Sequence, residues 1–148
     1  MLLYHFIWGT FCDWYLEFCK PKFANEGVEK EETQKTATWI LDQILHLLHP
    51  FMPYITEVLW QNLRPGQGLL MGASWPEEVD YSYNQASQDI DWLIKVVSEI
   101  RSLRAEMNVP PAAFLSVSFY DAAIKTHKRI EDNKDLLLKL ARLNQIHA

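Results

Sequence analysis

Glycine is scarce in this chain, with five in 148 residues, all scattered. That excludes the glycine-rich loop that cradles phosphates and the spaced glycines of a dinucleotide-binding turn. Cysteine is scarcer still: Cys12 and Cys19 are the only two. Two turns apart on one helix, their Cα atoms would stand about 10 Å apart, too far for a disulfide. They read as buried or half-buried thiols in a reducing, cytoplasmic setting. No apolar run is long enough to span a bilayer, because His, Asp, Gln or Pro breaks each one. The apolar opening, Met1 to Trp8, has neither the basic start nor the small-residue cleavage site of a signal peptide. Positive charge is also short, with 14 basic against 19 acidic residues and a net charge of −5. That balance argues against gripping nucleic acid by overall charge, since phosphate binding rests on Lys and Arg. It leaves room for a local basic patch.

Apolar residues are plentiful. They make up 49% of the chain and include six Trp, six Tyr and seven Phe, enough for a sizeable core. Leu3, Phe6, Ile7, Thr10, Phe11, Trp14 and Phe18 recur at helical spacing and predict a first helix that Pro21 ends. Residues 21–32, with Asn25, Gly27 and a charged run, predict a solvated loop. Thr33 is the expected N-cap of a second helix through Ala37, Ile40, Leu41, Ile44, Leu45 and Leu48. At His49-Pro50 and Pro53 that helix either kinks or restarts through Ile55, Val58, Leu59 and Leu63. Residues 64–68 read as a turn and 69–83 as an irregular connection.

Ser87 or Asp89 is the expected cap of a third helix, whose buried stripe runs from Ile90 through Leu93, Val97 and Ile100 to Met107. Val109-Pro110-Pro111 stops it. Leu115, Val117 and Phe119 then alternate with Ser116 and Ser118, the period of a strand. A last helix is expected over about 122–140, and residues 141–148 have the makings of another short strand. The expected architecture is mainly α. It is an antiparallel helical bundle over 1–111 followed by a small α+β appendage over 112–148. Three helices make an odd bundle and one strand makes no sheet, so the chain reads as cut from something larger at both ends.

Few side chains suggest chemistry. His46 and His49 share a helical face, but Asp42 and Glu57 are weak further ligands, so no metal site is expected. Asp13 and Glu17 form an i,i+4 pair with no second catalytic group nearby. Trp14, Trp60 and Trp92 read as core, and Lys20 and Lys22 as charges closing a helix C-terminus. No nucleophile elbow is present, and no catalytic residue is expected. The one promising cluster is Lys95, Arg101 and Arg104 on the third helix. Arginine pairs with phosphate bidentately and stacks on unpaired bases. The competing reading is a set of internal salt bridges from Arg101 or Arg104 to Glu99, Glu106 or Asp13.

Three stretches are more specific than helix formation requires. They are Phe11-Cys12-Asp13-Trp14-Tyr15-Leu16-Glu17, Leu47-Leu48-His49-Pro50-Phe51-Met52-Pro53-Tyr54-Ile55-Thr56-Glu57, and Ile100-Arg101-Ser102-Leu103-Arg104-Ala105-Glu106-Met107-Asn108-Val109-Pro110-Pro111. Together with Ser74-Trp75-Pro76, in this order and spacing, they resemble the anticodon-binding helical domain of valyl-tRNA synthetases, a class I aminoacyl-tRNA synthetase family. Isoleucyl- and leucyl-tRNA synthetases share that architecture, but the first and third stretches lean towards valine. The resemblance implies a fragment that docks the anticodon arm of valine tRNA through Lys95, Arg101 and Arg104, beside the rest of the synthetase. It also implies ATP and magnesium for the parent enzyme and no cofactor for this chain. The family's two catalytic signature motifs are absent, as are its first bundle helix and coiled-coil tail. An apolar face is therefore expected to lie uncovered, with dimerisation through it as one consequence. The rival expectation is a helical scaffold that binds a protein and has no RNA affinity, which the acidic balance favours.

Overall fold

The computed structural model describes residues 2–24, 26–78 and 83–147. Asn25 of the expected loop, residues 79–82 of the expected connection and Ala148 lie outside them. The fold is mainly helical, with one small two-stranded sheet. It falls into two compact units, Met1–Asp80 and Tyr81–Ala148.

The first unit opens with a continuous helical rod: α1 (Leu2–His5), a π-helical stretch (Phe6–Tyr15) and α2 (Leu16–Phe23). The wide π register shows where the Leu16 N–H reaches back five residues to the Phe11 carbonyl. It breaks the expected 3.6-residue stripe. Phe11 is the one residue of the π stretch that is buried, while Phe6 and Trp8 are exposed. Phe11 stacks on Tyr15 at 5.6 Å, and Trp14 lies 6.0 Å from Phe18. Pro21 does not end the rod. It removes only its own N–H, and the ladder resumes beyond it with Ala24 N–H donating to Lys20 O at 3.3 Å.

α3 (Val28–Leu48) begins five residues before the expected cap. Gly27, at φ 123°, supplies the entry that a side chain would strain, and its carbonyl accepts the Glu31 N–H. Thr33 lies inside the helix, where its hydroxyl donates to Glu29 O at 2.7 Å. The chain then reverses. Phe51 and Met52 N–H both donate to Leu48 O, and Pro53 occupies the first turn of α4 (Pro53–Leu63). His49 meets Thr56, His46 meets Trp60, and Asp42 meets Arg64. As one sequence number falls the other rises, so α3 and α4 form an antiparallel hairpin. Leu45, Trp60 and Leu70 of a short 3-10 turn (Leu70–Gly72) fill its core, flanked by Leu41, Leu63 and Ala73.

The second unit contains α5 (Asn84–Glu106), β1 (Leu115–Ser118), α6 (Ile124–Asp132), α7 (Lys134–Leu140) and β2 (Leu143–His147). α5 starts ahead of Ser87 and Asp89, with Tyr83 at the cap position. Its end is fixed by hydrogen bonding before the prolines arrive. Asn108 takes a left-handed conformation, φ 52°, while its N–H donates to Ala105 O and Val109 N–H to Arg104 O. Those two bonds satisfy carbonyls that the last turn would leave open. The expected single last helix divides at Asn133, whose side-chain amide donates to Arg129 O at 2.9 Å and whose carbonyl accepts Leu137 N–H. β1 and β2 are parallel, and α6 with α7 supplies the crossover that parallel strands need. Leu93, Val97 and Leu137 are fully buried and form the centre of this unit with Ile130, Leu140 and Leu143.

Candidate nucleic-acid interface

Lys95, Arg101 and Arg104 all lie on α5, but not on one face. At about 100° per residue, Lys95 points nearly opposite to Arg104. Lys95 is 76% exposed, and its Nζ stands 3.9 Å from Glu99, a loose pair that water screens. Arg104 is buried at 8% exposure. Its Nη2 donates to Ala113 O at 2.7 Å and Pro110 O at 3.2 Å, and its Nη1 to Arg142 O at 3.4 Å. Arg101 sends Nε and Nη2 to the Leu140 carbonyl at 3.2 and 2.9 Å, at the C-terminal end of α7 where the helix dipole is negative. Both guanidinium groups thus reach backbone carbonyls, at a helix end and at a proline turn. A planar fork of donors reaches several of them at once.

Two groups escaped the sequence reading. Arg129 pairs with Asp89 at 2.6 Å and lies 5.8 Å over the Trp92 ring. Asp89, Trp92 and Arg129 are 40 residues apart at the extremes, so local spacing carries no sign of the pairing. The second is the Asp42–Arg64 pair, with Arg64 Nε 3.1 Å from Asp42 Oδ2. The hydrogen bond from Gln85, then the bond from Arg129, holds the Asp89 carboxyl below the usual carboxylate range. A carboxyl depressed in the fold contributes stability that is fully present above its unfolded value, about pH 4, and is lost as pH falls through the folded value. The thermal midpoint followed by circular dichroism should therefore drop on acidification below about pH 4, and Asp89→Asn should flatten part of that drop.

The remaining candidates are occupied. His46 Nδ1 donates to Asp42 O at 2.7 Å, and its ring sits edge-on to Trp60. His49 Nδ1 is 2.8 Å from Thr56 Oγ1, whose own hydrogen goes to Met52 O. Glu57 accepts the Leu70 N–H at 3.0 Å. Among the described residues, no group of three His, Cys, Asp or Glu side chains is placed to hold a metal ion. Lys20 pairs with Glu17, and Lys22 with Glu29 at 3.0 Å. Trp60 is core, whereas Trp14 and Trp92 are half-buried. Both cysteines are free, and burial raises the Cys19 thiol and the Tyr15 phenol bonded to it, so both stay protonated at neutral pH. Among the described residues no helix is long and apolar enough to cross a membrane.

Charge is unevenly shared. Residues 1–80 hold five basic and eleven acidic side chains, and residues 81–148 hold nine basic and eight acidic. The first unit is therefore net acidic, and the second nearly neutral.

Residues 1–119 match the family described as the anticodon-binding domain of tRNA ligase. The chain belongs to that family. It is also similar along nearly its whole length to valine–tRNA ligases. Identity is 46% with that of Caulobacter vibrioides, over 97% of this chain and 17% of that protein. It is 44% with that of Rhizobium meliloti, over 97% and 16%, and 42% with that of Zymomonas mobilis, over 98% and 17%. The chain thus spans about a sixth of the length of the curated relatives it matches.

Proposed function

We propose that this anticodon-binding domain docks the anticodon arm of valine tRNA for a valyl-tRNA synthetase, whose ATP-dependent ligation is carried out by parts outside this chain. The observation that carries the reading is the similarity to valine–tRNA ligases over 97–98% of the chain. Residues 1–111 act as the recognition bundle and 112–148 as its extension. Lys95, solvated on α5, contacts phosphate. Arg101 and Arg104, on other sides of α5, serve as positioning residues: Arg101 through the Leu140 carbonyl, and Arg104 by fixing the backbone of 107–113 and 142. Unpaired anticodon bases can be splayed onto aromatic or arginine faces, so a rigid helical scaffold suits them.

The test is a titration of the purified chain with valine tRNA and with a copy bearing an altered anticodon, across a salt series. Tighter binding of the native anticodon is expected. A second reading, a helical scaffold for a protein partner, draws on the exposed apolar stripe of α4: Tyr54, Ile55, Val58 and Leu59. It predicts no RNA binding at any salt.

A further inference from the structure

Residues 120–147 lie beyond the stretch that matches the anticodon-binding family, so that match assigns them no role. They nevertheless carry much of the chain's positive charge. Helix α6, Ile124-Lys125-Thr126-His127-Lys128-Arg129-Ile130-Glu131-Asp132, places its basic residues first and its acidic residues last. That order opposes the helix dipole, which favours acids at the N-terminal end and bases at the C-terminal end. A helix arranged for its own stability would have the reverse order.

The inner face of α6 accounts for one of these charges. Ile130 is buried, and Arg129 turns in to Asp89. Lys125 and Lys128 do not turn in. They are exposed, three residues apart on one side of the helix, and among the described residues neither has an ion-pair partner within 4.0 Å. A shallow cleft of about 270 Å³, lined by His127, Ile130, Glu131, Lys134 and Ile146, lies along the neighbouring side. The Lys125 charge also helps to lower the Asp89 carboxyl, but both ammonium groups remain solvated, which suits the phosphates of a flexible polyanion.

We propose that the outer face of α6, through Lys125 and Lys128, is a second RNA contact that grips the sugar–phosphate backbone independently of sequence. The inference rests on the reading that this chain docks a tRNA. It adds a surface that neither the family match nor the α5 cluster includes. Lysine ammonium groups bind backbone phosphates as point charges and release the counterions condensed there. Each such contact therefore shows in the salt dependence of binding.

The experiment compares the unaltered chain with Lys125→Gln plus Lys128→Gln, titrating valine tRNA and its altered-anticodon copy at several salt concentrations. The double variant should bind about tenfold more weakly at low salt, and its slope of log affinity against log salt should be shallower by about 1.5. The loss should be equal for both tRNAs. The charge-preserving pair, Lys125→Arg plus Lys128→Arg, should bind as the unaltered chain does. Since neither pair removes an inward-facing group, helicity by circular dichroism should be retained. Unchanged affinity and slope in the glutamine pair would overturn the inference while leaving the anticodon-arm reading intact. So would a loss confined to the native anticodon, or an equal loss in the arginine pair. No binding by the unaltered chain at any salt would overturn both.

Discussion

Arg104→Ala is expected to destabilise the 81–148 unit by about 3 kcal/mol, seen as a fall in its urea or thermal midpoint. The size follows from what the guanidinium holds. It is 8% exposed and donates to Ala113 O, Pro110 O and Arg142 O. Alanine removes three bonds from a buried cation, and a hydrogen bond to a charged group counts for about 1.5–3 kcal/mol. Pro110 O keeps the Ala113 N–H and Arg142 O the Leu115 N–H, which holds the loss near the upper end of one such bond. Arg142 adds to the demand. It sits in the left-handed region at φ 53°, where its carbonyl also accepts the Leu115 N–H and its own Nη1 donates to Pro111 O. Arg104 therefore ties the end of α5, the proline turn and the start of β2 into one knot. Arg104→Lys should recover only part of the loss, because a single ammonium cannot span three separated carbonyls. A stability unchanged in Arg104→Ala would show that the guanidinium is dispensable to the fold.

Trp60→Ala should cost the first unit about 3–5 kcal/mol, the range for removing a large buried aromatic. Trp60 is 6% exposed and sits between Leu45 and Leu70, with His46 edge-on at 5.1 Å. Its Nε1 donates to Gly68 O at 3.2 Å, which anchors the turn after α4. Trp60→Phe separates the contributions. It keeps most of the apolar volume and loses the hydrogen bond, so about 1 kcal/mol plus a smaller packing loss is expected. A Trp60→Phe variant as unstable as Trp60→Ala would mean that the indole N–H, not packing, holds the hairpin.

The break after Leu48 was legible because its signals are local: the apolar stripe ending at Leu48, His49-Pro50, and a second proline at the first turn of α4. These signals fit a kink as well as the reversal that the structure shows. The strand at Leu115 to Ser118 was legible for the same reason, since alternation within four residues fixes its period. The stretch Phe6–Tyr15 was not. A π register depends on which carbonyl each N–H chooses, and the same apolar residues fit a 3.6-residue period. Pro21 and Thr33 misled the element boundaries because each costs or offers one hydrogen bond, less than the packing of the helices they sit in. The roles of Arg101 and Arg104 were invisible for another reason. Their acceptors at 140 and 142 lie 38 or 39 residues away, and backbone carbonyls carry no signature in sequence.

The direct test of the central claim is the titration with native and altered anticodons, read at the salt concentration where backbone contacts have faded. Phosphate contacts lose affinity steeply as salt rises, whereas stacking and base-edge contacts lose little. The account predicts that preference for the native anticodon persists, and grows in proportion, as the salt-dependent part falls away. Equal binding of the two tRNAs throughout the series, or none by a folded chain, would contradict it.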